Sequence, residues 1–206
     1  EMSRKKEQYR KVLSKYVPSD YIEYIVELLC AHPVQFKIAK PRKTKLGDFR
    51  VEREGLHKIT VNGDLNQYSF LITTIHEFAH LVTYNNYGGH VKPHGKEWQL
   101  TYSKMLYPVV QAGNLPEDIS KAIENSLINV KASSCTDQKL YRVLLEYDPP
   151  KDGLHRLEEL DRGRVFLLNG KAFKKGNLRR TRYVCTNTSN KRQYLISALA
   201  HVKKIQ

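Results

Sequence analysis

Cysteine, long apolar runs and, over the last 45 residues, acidic side chains are scarce or missing in this chain of 206 residues. Its cysteines, Cys30, Cys135 and Cys185, lie far apart, which argues against a disulfide framework and excludes a four-cysteine zinc ribbon. No apolar stretch approaches the ~18 residues that span a bilayer, and the N-terminal EMSRKKEQYR lacks the apolar core of a secretory signal. We therefore expect a cytoplasmic protein with no membrane partner.

The charge is basic and unevenly distributed along the chain. Lys and Arg number 35 against 21 Asp and Glu, and 40% of the residues are hydrophobic, which is typical of a globular protein. The net charge is +14, and residues 162–206 contain 12 Lys and Arg and no acid. Such a stretch is either a solvated face or a surface for a polyanion, and a field of one sign favours nucleic acid as the partner.

Hydrophobic periodicity predicts helices and a small sheet in the first part of the chain. A 3.6-residue spacing indicates helices, and alternation between turn residues indicates three short strands in an antiparallel sheet. The strongest helix is predicted over 65–87, where one apolar stripe is formed by Leu71, Ile75, Phe78 and Val82. The other predicted helices are 3–16, 21–30, 95–107 and one opening at 115–118, and the predicted strands are 34–39, 49–53 and 57–61.

The polar segment 131–138 predicts a domain boundary, with a first domain over 1–131 and a second over 132–206. Beyond it the pattern changes to short β-like runs separated by Gly and Asn. The runs are 140–147, 165–168, 181–185 and 194–196. We therefore expect an α+β fold in which a small basic all-β module follows the helical domain.

Residues 76–80 read His-Glu-Phe-Ala-His, an HExxH pattern on the strongest predicted helix. Residues four apart lie about one turn apart on the same helix face, so His76 and His80 are able to reach one tetrahedral zinc ion, with Glu77 beside them. A chance match is the alternative, but the amphipathic helix and the sheet before it favour a metal site. The pattern predicts one zinc per chain, with Glu77 as the catalytic residue.

A catalytic zinc site needs a third protein ligand and leaves its fourth position open. The downstream candidates are His90, His94 and carboxylates such as Glu97. His90 follows two glycines in a loop, whereas His94 stands where a helix begins and is better fixed, which favours His94. Glu97 lies one turn later. It either orients a zinc ligand by contacting it, without binding the metal itself, or is simply a favourable acid in a first helical turn.

The HExxH pattern, together with Pro-His-Gly-Lys-Glu-Trp at 93–98, resembles the SprT family of zinc metallopeptidases, which includes the Spartan proteases. That family pairs an HExxH helix with a later H-G-x-x-[WF]-type motif. Segments 42–47 and 59–62 also resemble the strands that precede the family's helix. The similarity covers about residues 20–110.

The resemblance implies a zincin-like fold, His76, His80 and His94 as zinc ligands, and Glu77 as the catalytic acid and base. It also implies an intracellular protein, and family members known to act do so on proteins bound or crosslinked to DNA, as in crosslink repair. One departure is clear, because many relatives carry a zinc ribbon after the catalytic part and a lone Cys185 cannot form one. The DNA-binding inference therefore rests on charge.

The basic residues near the C-terminus are the predicted contacts to a nucleic-acid backbone. They are Lys171, Lys174, Lys175, Arg179, Arg180, Arg182, Lys191 and Arg192. Phe173, Tyr183 and Tyr194 lie among them and are candidates for stacking on unpaired bases. A fold of about 70 residues, however, needs its large apolar groups for the core, which favours a structural role for these rings.

Three functions are compatible with these patterns. The first is a zinc metalloendopeptidase that hydrolyses peptide bonds, with DNA-associated or DNA-crosslinked proteins as its substrates. The second is a nucleic-acid-binding protein whose domain holds zinc but is inactive or gated. The third is a small-peptide peptidase whose basic module serves only acidic substrates. Zinc content and cleavage of an unstructured protein, with and without DNA, separate the first two, and salt-dependent DNA binding counts against the third.

Overall fold

The predicted α+β fold is confirmed. The computed structural model describes residues 2–42, 45–128 and 138–205. The chain divides into two compact units, Glu1–Asp148 and Pro149–Gln206. Within the described residues, the first unit contains six α-helices and a three-stranded sheet, and the second contains a six-stranded sheet.

The helices and strands of the first unit follow the predicted order up to residue 128. The helices are α1 (Met2–Leu13), α2 (Ile22–Ala31), α3 (Gln67–Tyr87), α4 (Lys96–Gln111), α5 (Glu117–Ile128) and α6 (Gln138–Leu145). The strands are β1 (Gln35–Ala39), β2 (Gly47–Arg50) and β3 (Lys58–Asn62).

Helix α6 corrects the prediction of a β-like run over 140–147. Its apolar residues recur at helical rather than alternating spacing, and Leu140 and Leu144, one turn apart, are 5% and 4% exposed in the core of the first unit. The end of α6 is also held to the start of α3, because the Asn66 amide donates to Leu144 O (2.8 Å) and to Asp148 Oδ1 (2.6 Å). The predicted boundary after residue 131 lies outside the described residues, and the described chain divides after Asp148.

The small sheet has the strand order β1-β3-β2, so β2 lies at one edge. β2 is antiparallel to β3, but β1 is parallel to β3, which corrects the expectation of a wholly antiparallel sheet. The chain between β1 and β2 crosses from one edge of the sheet to the other. Arg42 anchors this crossing, because its Nε donates to Asn62 Oδ1 (2.7 Å) and its guanidinium also donates to Thr60 Oγ1 (2.9 Å).

Helix α3 is the centre of the first unit. Asn66 caps it by accepting from the backbone N–H groups of Tyr68 (3.1 Å) and Ser69 (3.0 Å). Its core face is fully buried at Phe70, Leu71, Ile75 and Phe78. Each such side chain contributes about 1.5–3 kcal/mol on burial, so the helix is firmly fixed. None of the helices in the described part of the chain combines the length and apolar character needed to cross a membrane.

Helix α4 continues beyond its predicted end at residue 107 and includes Pro108 in its last turn. Proline removes one backbone hydrogen-bond donor from the helix. Two tyrosine hydroxyls from outside α4 donate to backbone carbonyls of this helix. Tyr24 donates to Met105 O (2.6 Å) and Tyr21 to Val109 O (2.9 Å). These bonds fix α4 against the start of α2.

The second unit is an antiparallel sheet with the order β4-β9-β5-β6-β7-β8. Its strands are β4 (Leu154–Arg156), β5 (Val165–Leu168), β6 (Lys171–Arg179), β7 (Arg182–Asn187), β8 (Gln193–Ser197) and β9 (His201–Lys204). The fully buried side chains of its core are those of Leu157, Phe166, Cys185 and Val202. Phe173 is also buried there, which agrees with a structural role for this ring.

Candidate metal centre

Helix α3 and the turn before α4 bring three imidazoles together. The Nε2 atoms lie 3.3 Å apart between His76 and His80, 3.1 Å between His76 and His94, and 2.8 Å between His80 and His94. Zinc–nitrogen bonds of about 2.0–2.1 Å in a tetrahedron separate the ligand atoms by about 3.3 Å, so the three nitrogens fit one ion. The described residues contain no other group of His, Cys or carboxylate side chains with this arrangement.

The surroundings keep these imidazoles uncharged. Burial, reinforced by the neighbouring imidazoles, lowers the pKa of His76 to about 3 and that of His80 to about 4. Burial also lowers the pKa of His94. A metal ion binds the lone pair of the neutral ring, so a site whose histidines resist protonation is suited to hold one.

The backbone around His94 is built to present its side chain. His94 has a φ of +60°, a left-handed conformation that costs about 1–2 kcal/mol for a residue other than glycine. Gln99 Nε2 donates to His94 O (3.1 Å), and a turn is closed by Gly95 N donating to Lys92 O (2.8 Å). Strained residues of this kind persist where the surrounding structure holds them for a function.

The structure does not bring His90, the other candidate histidine, to this group. His90 ends a short 3₁₀ turn, Gly88–His90, that follows α3, and its side chain is exposed. Within the described chain, the three-histidine group is formed with His94 instead.

Glu77 lies beside the histidines, on the sheet side of α3. Its side chain is only 7% exposed, and its carboxylate accepts a hydrogen bond from the backbone N–H of Phe49 in β2. Burial, with the Asp48 carboxylate adding to it, raises the pKa of Glu77 to about 8, although the Phe49 hydrogen bond and the charges of Arg42 and Lys45 oppose the shift. A carboxyl group that exchanges its proton near neutral pH is suited to general acid–base work.

Gly47 of β2 leaves the space that Glu77 occupies. A Cβ atom on residue 47 would lie 2.6 Å from Glu77 Oε1, 2.8 Å from Glu77 Cγ and 2.7 Å from Thr73 Cγ2. Such contacts are too short for any side chain to fit without displacing Glu77. The absence of a side chain at Gly47 therefore sets the position of the carboxylate.

We expect Gly47→Ala to lower the peptidase activity predicted from the sequence by roughly 10–10²-fold, because a shift of about 1 Å in a catalytic group, the predicted role of Glu77, has effects of this size. Metal content, measured by atomic absorption, should stay at the wild-type level. Gly89→Ala is the matched control, since a Cβ there meets only Tyr84 Cε2 at 3.9 Å. Equal activity of the two variants would show that Gly47 does not position Glu77.

An indole ring packs against the whole histidine group. The Trp98 ring centre lies 4.7 Å from the rings of His76 and His94 and 5.2 Å from that of His80. Tyr102, one turn later on α4, stacks on Trp98 at 4.7 Å with an interplanar angle of 20°. These contacts hold the imidazoles in place from the α4 side.

The sequence did not predict the packing roles of Gly47 and Phe49, and Trp98 entered only as part of the motif at 93–98. Phe49 stacks parallel to His80, with ring centres 6.4 Å apart and an interplanar angle of 3°. Trp98 carried a detectable signal, since the chain's single tryptophan follows His94 by one helical turn. Gly47 and Phe49 gave none, because their roles depend on which face of β2 packs on α3.

Glu97 lies in the first turn of α4 and is partly buried. For the residues that the structure describes, its carboxylate forms no hydrogen bond to any of the three imidazoles. Its backbone carbonyl accepts from Thr101 Oγ1 (2.9 Å), an ordinary bond within the helix. The orienting role of Glu97 therefore stays a prediction.

Most of the basic residues predicted to bind nucleic acid are exposed in the second unit. The exposed ones are Lys171, Lys174, Arg179, Arg180, Arg182, Lys191 and Arg192. For Lys175 the prediction of a nucleic-acid contact is wrong, because this residue is only 5% exposed. Its Nζ donates to Leu160 O and to Glu158 O (3.2 Å). The same ammonium lies 4.0 Å from the centre of the Tyr183 ring. Lys175 thus serves the interior of the unit and is not available to a polyanion.

The strand pairing distributes the exposed cations over two ends of the sheet. Arg179 and Arg182 pair across the β6–β7 hairpin, whose turn contains Arg180. Lys191 and Arg192 lie in the β7–β8 turn, at the other end of β7. Strand β7 has six residues, so the two groups stand about 17–20 Å apart.

Sequence reasoning did not single out a pocket in the second unit. It has a volume of about 410 Å³ and is lined by Asp161, Arg162, Gly163, Arg164, Val165 and Ile205. Lys174 is close to it, because its Cε lies 3.8 Å from where a Cβ on Gly163 would be. Arg162, Arg164 and Lys174 therefore lie around or near this pocket, together with one acid, Asp161.

Comparison with known families gives a match to the SprT-like family over residues 20–119. Comparisons with curated proteins and with solved structures gave no match. The matched segment contains α2, the three-stranded sheet, α3 and α4, and with them His76, His80 and His94. The family is metallopeptidase-like, and a three-histidine group able to hold a metal ion agrees with that character. Residues 20–119 of the chain are therefore SprT-like, which confirms the resemblance found in its motifs.

Proposed function

We propose that the first unit is a zinc-dependent endopeptidase with a zincin-like site. The observation that carries this proposal is the convergence of the Nε2 atoms of His76, His80 and His94 to within 3.3 Å of one another, with the Glu77 carboxylate beside them. Three nitrogen ligands without a fourth protein ligand are typical of catalytic zinc, whereas structural zinc sites are closed by four. A bound zinc ion supplies Lewis-acid chemistry that activates water and polarises a carbonyl.

The residues of the chain itself handle the proton. Glu77 takes the proton of the attacking water at its carboxylate and then donates it to the nitrogen of the leaving amine. The backbone N–H of Phe49 holds the carboxylate in place for both transfers. Burial of Glu77 favours its protonated form and so stabilises the state between the two transfers.

The free edge of β2 is the natural place for the substrate backbone. Among the described strands, β2 pairs only with β3, and the Phe49 N–H, which donates to Glu77, lies on the opposite edge of β2. An extended peptide that adds to this edge gains main-chain hydrogen bonds from backbone groups of β2 other than the Phe49 N–H, and passes directly over Glu77.

The experiment that tests the proposal combines metal analysis with a cleavage assay. We expect about one zinc per chain, and hydrolysis of an unstructured protein such as casein that stops when a chelator removes the metal and returns with added zinc. Absence of bound zinc, or cleavage that survives complete metal removal, would contradict the proposed function.

We further propose that the second unit binds nucleic acid through its phosphate backbone, so that the substrates are proteins bound to or crosslinked to DNA. Three observations support this proposal. Arg179, Arg180 and Arg182 are exposed at the β6–β7 hairpin, Arg162 and Arg164 line the pocket described above, and residues 162–206 contain no acid. Contacts of this kind are insensitive to base sequence and weaken steeply with salt.

Reversing Arg179, Arg180 and Arg182 to Glu in the full chain should weaken binding to all DNA sequences alike. The slope of log affinity against log salt should decrease by about 0.9 for each duplex phosphate that the variant no longer neutralises. Fluorescence anisotropy with labelled single- and double-stranded oligonucleotides measures both effects. Reversal of the exposed Lys5, Lys11 and Lys15 makes the same charge change in the first unit and is the control. An equal decrease in affinity for the two variants would point to net charge rather than to a site.

A further inference from the structure

Three aromatic side chains form a cluster immediately beside the histidine group. Phe49 of β2, His57 before β3 and Tyr84 of α3 have ring centres 5.1–6.0 Å apart. Phe49 also stacks on His80. The cluster therefore continues the wall of the metal centre along the β2–β3 hairpin.

The strand register places this cluster on the side of β2 that faces α3. Phe49 pairs with Ile59, which is fully buried, and Gly47, two residues earlier, packs on Glu77. Asp48 and Arg50 alternate with them and lie on the other face, where they form an ion pair at 3.2 Å. The face of β2 toward the metal centre is thus the uncharged face of the strand.

Members of the cluster are not core residues in the ordinary sense. Phe49, His57 and Tyr84 are only partly buried, although Ile59 in the adjacent strand is completely so. The hairpin loop beside them also leaves Val51 43% and Leu56 53% exposed. An apolar surface left partly open next to a catalytic site gains free energy when a ligand covers it.

We propose that the Phe49–His57–Tyr84 cluster is a specificity subsite that binds a large apolar side chain, preferably an aromatic one, of the substrate. This inference rests on the proposed peptidase function. A substrate strand added to the free edge of β2 places the side chain opposite Phe49 on the same face, about 4.5–5.5 Å from the Phe49 Cβ. Aromatic side chains form favourable cross-strand pairs and edge-to-face contacts at this distance.

The expected preference is about tenfold or more in kcat/KM for Phe over Ala at this substrate position, since covering a side chain of this size has effects of that order. The cleaved bond should stand at a constant distance in sequence from the aromatic residue, because register fixes which residue meets Phe49. An acidic residue at the same position should be disfavoured, since its charge would be buried against the Phe49 and Tyr84 rings.

The test uses the zinc-loaded full chain and three dodecapeptides with the same Ala, Ser and Gln background. Their sixth residue is Phe, Ala or Glu, and mass spectrometry identifies the bond that is cut. Tyr84→Ala and Phe49→Leu should each bring the Phe-to-Ala ratio of kcat/KM toward one. Tyr107→Ala, a 59% exposed tyrosine on α4, should leave the ratio at its wild-type value. Zinc content of each variant shows whether the metal site is intact.

The outcomes distinguish the subsite from the peptidase function. Cleavage of all three peptides at equal rates, or fastest cleavage of the Glu peptide, would overturn the subsite and leave the peptidase function standing. If the wild type cuts none of them, the peptidase function fails, and fluorescence anisotropy then decides the subsite with the zinc-loaded Glu77→Gln variant and labelled peptides. Tighter binding of the Phe peptide that disappears on adding Tyr84→Ala supports the subsite. Equal binding of the Phe and Ala peptides, or binding of neither, overturns it.

Discussion

Replacing Glu77 by Gln is expected to lower the rate of peptide hydrolysis by about 10²–10⁴-fold, the usual contribution of a general acid–base group. Gln keeps the size of the side chain and still accepts the hydrogen bond from Phe49 N–H, but it cannot take up a proton. The three imidazoles that converge beside it are unchanged, so zinc content should stay at one per chain. The decrease should therefore appear in kcat and not in the metal analysis.

The control for Glu77→Gln is Glu124→Gln, which makes the same chemical change at an exposed position of α5. We expect it to retain wild-type activity and zinc. Rates are best measured as cleavage of an unstructured protein at several enzyme concentrations, with zinc determined on the same samples. Activity of Glu77→Gln within a factor of a few of the wild type would refute the role of this carboxylate.

Helix α3 and its histidine pair were predictable because the signal is local. The apolar stripe and the His76–His80 spacing both follow from the 3.6-residue period, and Gly88 stops the helix where predicted. The preference for a helix-start histidine over one in a glycine loop also agrees with the cluster that forms around His94. These features need no knowledge of how distant segments pack.

The features that were not predicted depend on contacts between distant segments. The parallel pairing of β1 with β3 is set by a chain crossing that Arg42 anchors on Asn62 and Thr60, and alternation within a strand carries no information about its neighbour. The sequence predicts a strand where α6 forms because Tyr141 and Val143 of this segment also suit strands, but packing of α6 into the core of the first unit favours the helix.

The buried Lys175 shows the same limit in the second unit. Lys174 and Lys175 are neighbours in β6, so one faces solvent and the other the interior, but composition does not tell which. The pairing of Lys175 with the buried Cys185 puts its side chain on the core side. There it is stabilised by two carbonyl oxygens and the Tyr183 ring.

Replacing His94 by Ala is expected to abolish stoichiometric zinc binding and, with it, all peptidase activity. Two imidazoles remain on α3, but two protein ligands bind zinc much more weakly than three. The zinc affinity should decrease by more than the roughly 10–100-fold that is typical of mutating a residue that hydrogen-bonds to a metal ligand. Ala at position 94 would carry the same strained left-handed backbone without binding zinc, so the substitution should not stabilise the fold.

His90→Ala is the matched control for His94→Ala, because it removes an exposed imidazole only four residues away. It should keep one zinc per chain and wild-type activity, since His90 lies outside the three-histidine group. Zinc is measured after dialysis against a weak chelator, and circular dichroism shows whether each variant keeps its helices. Full zinc content in His94→Ala together with loss of zinc in His90→Ala would reverse the assignment of the third ligand. The order expected here follows from the geometry, because His94 brings its Nε2 within 3.1 Å of both α3 imidazoles.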